Sequence, residues 1–133
     1  VAIYIKIYIF KYMNNDKNIK ELEWIGSSRK DMMVLPRSVQ RVFGYALYLA
    51  QLGEKPPEAK PLRGFGGAGV LELVEDYRSD TYRAVYTVRF AKKVYVLHVF
   101  KKKAKKRIAT PKHEIDLVRN RLKQAESLYT GKT

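Results

Sequence analysis

Aliphatic residues alternate with aromatic or charged ones along most of the first twelve positions. Val1, Ile3, Ile5, Ile7 and Ile9 fall on one side, and Tyr4, Lys6, Tyr8, Phe10 and Tyr12 on the other. A period of two sends successive side chains to opposite faces of a strand, so this segment predicts an N-terminal β-strand. Its narrow composition of Ile, Tyr, Lys and Phe also fits translated upstream sequence, with Met13 as an original start. The polar run MNNDKN closes it, so residues 1–19 read as an extension and 20–133 as one domain.

Beyond that boundary the period changes repeatedly. Lys20 to Gly26 predicts a short strand, and Ser27 and Ser28 offer an N-cap for a short helix to about Leu35. Pro36 suits the first turn of a second helix. There Val39, Val42, Phe43, Ala46, Leu47 and Ala50 recur at the spacing of a core-facing stripe, and Gly53 stops it. After the loop EKPPEAKPLRGFGGAG come three alternating runs, 70–77, 81–90 and 93–100, joined closely enough for an antiparallel meander. The last helix has Thr110 as N-cap, Pro111 at its first position, and Ile115, Val118, Leu122 and Ala125 as its inner stripe. Strand, two helices, three strands, helix predicts an α+β fold. A small antiparallel sheet, the meander plus the N-terminal strand, carries two N-terminal helices and one C-terminal helix on one face.

Composition narrows the function. The net charge is +14, and its distribution is uneven: net +4 over residues 1–60 and +10 over 61–133. Between Lys101 and His113 stand six Lys (101, 102, 103, 105, 106, 112) and Arg107, with no acid. Like charges held this close repel, so folding alone does not account for them. A polyanion compensates them, and nucleic acid is the leading choice because neutralised phosphates release counterions. The absence of cysteine removes disulfides and thiolate metal sites. Two histidines, His98 and His113, are too few for a zinc site without supporting acids. No apolar run reaches the roughly 20 residues of a membrane span. Lys6 and Lys11 interrupt what would otherwise pass for a signal peptide, so a reducing cytoplasm is the expected compartment.

Individual motifs carry two readings each. Gly64 to Gly69 matches G-x-G-x-x-G, but a Pro-rich loop precedes it, a strand follows it, and Arg89 stands where the ribose-binding acid belongs. Its expected role is a sharp turn into the sheet that brings Arg63 near a ligand phosphate. Arg83 lies inside the middle meander strand and shares a face with Val85, Thr87 and Arg89, opposite Tyr82, Tyr86 and Phe90. Either that face is solvated, or the planar guanidinium clamps a phosphate. His98 reads as a satisfied core histidine. His113, in the first turn of the last helix, reads as a proton carrier near a phosphate or as an idle surface residue. Tyr82, Tyr86 and Tyr95 read as core or as stacking surfaces for unpaired bases.

The strings PLRGFGGAGVLELVEDY, TYRAVYTVRF, VYVLHVFKKKAKK and IATPKHEIDLVRNRL, in this order, resemble the phage-related HigB-like toxins of the RelE/ParE superfamily over residues 20–126. The resemblance implies a RelE-like fold. It also implies a cytoplasmic type II toxin that cleaves mRNA on the ribosome by 2′-hydroxyl attack, without a metal or other cofactor. Its partners would be ribosome-bound mRNA and a cognate antitoxin of helix-turn-helix type, with no membrane. Carried over by position, Arg83 stabilises the transition state, Lys102 and Lys103 contact phosphate or move a proton, and His113 falls near a family tyrosine or histidine. Arg63, Lys101, Lys105, Lys106, Arg107 and Lys112 are the remaining RNA contacts. The general base stays open, with Lys103 a candidate if charged neighbours lower its pKa. A ParE-like gyrase inhibitor, a non-enzymatic nucleic-acid binder and an inactivated phage relic remain as alternatives.

Overall fold

In the computed structural model, residues 19–67, 69–102 and 109–131 are described. The predicted strand at Val1–Tyr12 lies outside them, as do Lys103, Lys105, Lys106 and Arg107. The described elements are β1 (Glu21–Trp24), α1 (Ser28–Met33), α2 (Arg37–Gln51), β2 (Lys60–Pro61), β3 (Val70–Tyr77), β4 (Asp80–Thr87), β5 (Lys93–Lys102) and α3 (Lys112–Thr130). They form one five-stranded sheet in the order β1-β5-β4-β3-β2.

The fold is α+β, and the meander β3-β4-β5 is antiparallel as its short turns require. The sheet as a whole is mixed, because β1 runs parallel to β5 with Glu21 opposite Lys93 and Trp24 opposite Val96. A parallel neighbour needs a long crossover, and α1 and α2 lie in that connection. The two-residue strand β2 pairs with Leu71 and Glu72 and was not foreseen from the hydrophobic pattern.

Helices cover both faces, not one. On the first, Val39, Phe43, Ala46, Leu47 and Ala50 of α2 pack on Leu73, Tyr82, Ala84, Tyr86, Val94, Val96 and Val99. On the second, Val118, Leu122 and Ala125 of α3 pack on Val70, Val85, Tyr95 and Leu97, with Ile115 half-buried beside them. Alternation in β4 and β5 feeds both clusters, which is why these strands read as nearly continuous apolar runs. Strand β4 ends at Thr87, so Phe90 leaves the alternation and joins the α3 side, edge-on to Tyr95 at 5.4 Å. Val42, assigned by period to the core stripe of α2, is 37 % exposed. Its place at the stripe's margin turns it away from the sheet.

Two caps differ from expectation. Ser27 holds the N-cap position of α1 without a capping bond and donates instead to Asp31 Oδ2 at 2.7 Å. The last helix starts one residue late, with Pro111 at its N-cap position, because the Thr110 hydroxyl is engaged elsewhere. Gly69 has φ +69°, and a Cβ there would stand 3.2 Å from the Arg89 backbone nitrogen. That glycine allows the loop to close on the β4 end, where Val88 N donates to Gly69 O at 2.9 Å.

Candidate nucleic-acid interface and its cation site

A β-bulge sets the geometry of the site. Val85 pairs with His98 and Tyr86 with Val96, so Leu97 is the extra residue in β5. Leu97 and His98 therefore both face α3, and every later residue of β5 changes side. Phe100 pairs with Arg83 and Lys102 with Thr81, which brings His98, Phe100 and Lys102 to the face that carries Arg83. With unbroken alternation from Tyr95, Lys101 would take that place and Lys102 would point to the α2 side.

Arg83 is buried, 3 % exposed, and its Nη1 donates to Glu72 Oε1 and to Thr110 Oγ1, both at 2.9 Å. The Thr110 hydroxyl in turn donates to Glu72 Oε2 at 2.6 Å, closing a three-membered cluster. Glu72 faces Val85 across the β3–β4 ladder and so lies diagonal to Arg83, within reach for two long side chains. Arg83 is thus not on a solvated face, and its Nη1 is held in place by Glu72 and Thr110. Lys102, also buried, donates from Nζ to Ala109 O at 2.6 Å. Burial lowers its pKa below the usual lysine range, and the positive charge of Arg83 lowers it further. Two cations from adjacent strands therefore hold consecutive residues, Ala109 and Thr110, of the turn that enters α3.

A second polar group ties down the start of that helix. His98, buried against Phe100 with ring centroids 4.5 Å apart, lies with Nε2 3.1 Å from Glu114 Oε1. Arg121 Nη1 approaches Nδ1 at 3.4 Å and donates to Leu97 O at 2.9 Å, while its Nη2 donates to Ser27 Oγ at 3.1 Å. An arginine can only donate, so Nδ1 accepts and the ring proton sits on Nε2, donated to Glu114. Burial lowers the His98 pKa, offset in part by the Glu114 bond. The expected satisfied core histidine is what the fold contains.

The other predicted residues are spread around this centre. Lys101 points to the α2 side and is held by Asp80 at 3.0 Å, which raises its pKa. His113 is 80 % exposed and 3.7 Å from Glu114 Oε1, and Lys112 is exposed beside it. Arg63 is exposed in the glycine loop, next to Gly64, whose carbonyl accepts from Arg119 at 3.1 Å. Tyr82, Tyr86 and Tyr95 are buried, so in this structure they pack as core and present no stacking surface. Glu72, Thr110, Glu114 and Arg121 were missed as site residues. The signal for Glu72 was available, since an acid alternating with Val70 and Val74 in a strand requires a cation on the same face. Among the described residues no group of three or more His, Cys, Asp or Glu is arranged to hold a metal ion, and no helix is long and apolar enough to cross a membrane.

Comparison with known proteins places residues 30–123 in a match to the family described as Phage derived protein Gp49-like (DUF891). A solved structure of the toxin–antitoxin complex RelBE2 from Mycobacterium tuberculosis is similar at 22 % identity and a TM-score of 0.39, over 67 % of this chain and 98 % of that one. A search of curated proteins gives no match.

Proposed function

This chain belongs to the phage-derived Gp49-like family, and from that premise we propose that it is the toxin of a type II toxin–antitoxin pair. Its activity in this reading is that of a HigB-like, ribosome-dependent mRNA endoribonuclease. The observation that carries the reading is the convergence of Arg83 and Lys102 on the Ala109–Thr110 turn, beside a sequence run of further cations.

Cleavage by a ribose 2′-hydroxyl forms a bond from the 2′-oxygen to phosphorus and breaks the bond from phosphorus to the 5′-oxygen. The products are a 2′,3′-cyclic phosphate and a free 5′-hydroxyl. One group takes the 2′ proton, another supplies a proton to the 5′-oxygen, and cations offset the charge that grows on the phosphoryl oxygens. Lys102 suits the first task because its lowered pKa increases the share of neutral amine. His113, exposed in the first turn of α3 one turn beyond Thr110, suits the second. Arg83 supplies a fixed positive charge held in place by Glu72 and Thr110, and Lys103, Lys105, Lys106, Arg107, Lys112 and Arg63 gather the RNA. Fixed charges of this kind are worth roughly 10²–10³ in rate, and general acid–base groups roughly 10²–10⁴ each.

Inducible expression of the wild-type chain and of Lys102→Met tests this. The reading requires growth arrest with new, translation-dependent mRNA ends by primer extension in wild type, lost in a folded Lys102→Met variant. Arrest without RNA cleavage would transfer the chain to the gyrase-inhibitor reading. No arrest would leave a plain nucleic-acid binder.

A further inference from the structure

β1 is the last strand on its side of the sheet, and no described strand pairs with its outer edge. Glu21 N donates to Lys92 O at 3.1 Å and Ile25 N to Val96 O at 2.9 Å, so the backbone groups of residues 21, 23 and 25 face β5. Those of Lys20, Leu22 and Trp24 turn outward. Lys20 is already engaged, because its N–H donates to Gln51 O at 2.9 Å and its carbonyl accepts from Gln51 Nε2 at 2.8 Å. Leu22 and Trp24 therefore present the open edge. The two faces of β1 differ. Leu22 and Trp24 pair with Val94 and Val96 and extend the α2-side core, yet both are only half-buried. Glu21 and Glu23, on the α3 side, share Lys93 at 3.5 and 3.2 Å. The edge thus matches a strand that is aliphatic on one face and carries a cation on the other.

We infer that residues 4–9 of this chain add to β1 as an antiparallel strand, with Lys6 opposite Glu23, and so close the sheet edge in cis. Ile5, Ile7 and Ile9 alternate with Tyr4, Lys6 and Tyr8, which is the two-faced composition the edge requires. The polar run MNNDKN at 13–18 stands just before β1, and a connection that short joins antiparallel neighbours. Matching faces restricts the register to steps of two, since a slip of one would set isoleucines over Glu21 and Glu23. With Lys6 opposite Glu23, Ile7 meets Leu22, Ile5 meets Trp24, and Glu21 lies diagonal to Lys6. A shift of two in one direction sets Lys6 against Ile25 and Lys11 against Lys20. The opposite shift lengthens the connection and moves Lys6 to Glu21, whose side chain is 71 % exposed against 43 % for Glu23. Left open, this edge would offer other chains an apolar template for pairing. The inference is independent of the chemistry proposed for Arg83 and Lys102.

The chain has no cysteine, so Lys6→Cys/Glu23→Cys introduces its only thiols. Directly opposed residues of an antiparallel pair stand roughly 5 Å apart, within disulfide reach. Lys11→Cys/Glu23→Cys is the control. Its residues are nearer in sequence but about 16 Å apart along the proposed strand, whereas in a loose segment the shorter loop closes at least as readily. Under mild oxidation of the folded full chain, the 6–23 pair is expected to cross-link within one molecule at least about tenfold faster than the 11–23 pair. In the unsubstituted chain, the amides of Leu22 and Trp24 should exchange at least about a hundredfold more slowly than in an unstructured peptide. Equal cross-linking rates, or unprotected Leu22 and Trp24 amides, would overturn the inference. Disulfides formed between copies would assign the edge to a second molecule and overturn closure in cis.

Discussion

Replacing Arg83 by alanine removes one member of an ion pair whose side chains are 4 % and 12 % exposed and whose charges approach to 2.9 Å. At that separation the attraction is about 6 kcal/mol with an effective dielectric constant of about 20. Desolvating two ions costs several kcal/mol each, so the intact pair contributes little net stability. Removing one partner keeps the desolvation cost of the other and loses the attraction. Arg83→Ala should therefore cost about 3–5 kcal/mol, and Glu72→Ala a similar amount. The double variant Glu72→Leu/Arg83→Met fills the volume with apolar groups, and should lie within about 1 kcal/mol of wild type or above it. Equilibrium urea unfolding reads this directly, because at a slope of about 1.5 kcal/mol per molar the single variants lose roughly 2 M or more in midpoint. A cost below about 1 kcal/mol for Arg83→Ala, or a double variant as unstable as the sum of the singles, would refute the reasoning. The cycle also guards the functional test. Loss of toxicity in Arg83→Ala alone would confuse unfolding with lost chemistry, whereas loss in a stable double variant would implicate the charge itself.

Three further outcomes are expected. His98 has its pKa lowered in the folded state, so the unfolded chain binds the extra proton first. Its contribution is complete above the unfolded value of about 6.5 and is lost as pH falls below it; urea midpoints at pH 7.5 and 5.5 should differ more in wild type than in His98→Gln. Gly69→Ala meets both a positive φ and the Arg89 backbone and should lower the thermal midpoint, whereas Gly66→Ala, with open space around it, should cost only the roughly 1–2 kcal/mol of its φ. Phe43→Ala should cost about 3–5 kcal/mol, while Val42→Ser, one residue earlier in the same predicted stripe, should stay within about 1 kcal/mol. Equal losses at the two positions in chemical denaturation would contradict the burial described here.

Much of this protein was legible in its residues. Periods of two and 3.6 located the meander, α2 and α3, because the spacing of apolar residues records which faces an element buries, while β1 was read as a short strand and α1 from the serines at its start. The same alternation placed Arg83 with Val85 and Thr87 on one side of β4, and there they are. The two-residue strand β2 escaped because so short a run has no period. Val42 escaped because a stripe's centre can be read from spacing, whereas its margin depends on where the sheet ends.

What only the tertiary structure decided concerns partners distant in sequence. Nothing local required β1 to run parallel to β5, which is a pairing between segments distant in sequence. That α2 and α3 take opposite faces follows from nearly continuous apolar strands that need cover on both sides. The identity of the inward lysine was decided by the bulge at Leu97, a single extra residue that exchanges Lys101 for Lys102 beside Arg83. Alternation counts residues along one strand, whereas a bulge is a relation between two. The sequence by itself thus determined that cations would gather at this end of the sheet, and cross-strand register determined which of them lies buried against Ala109 beside Arg83.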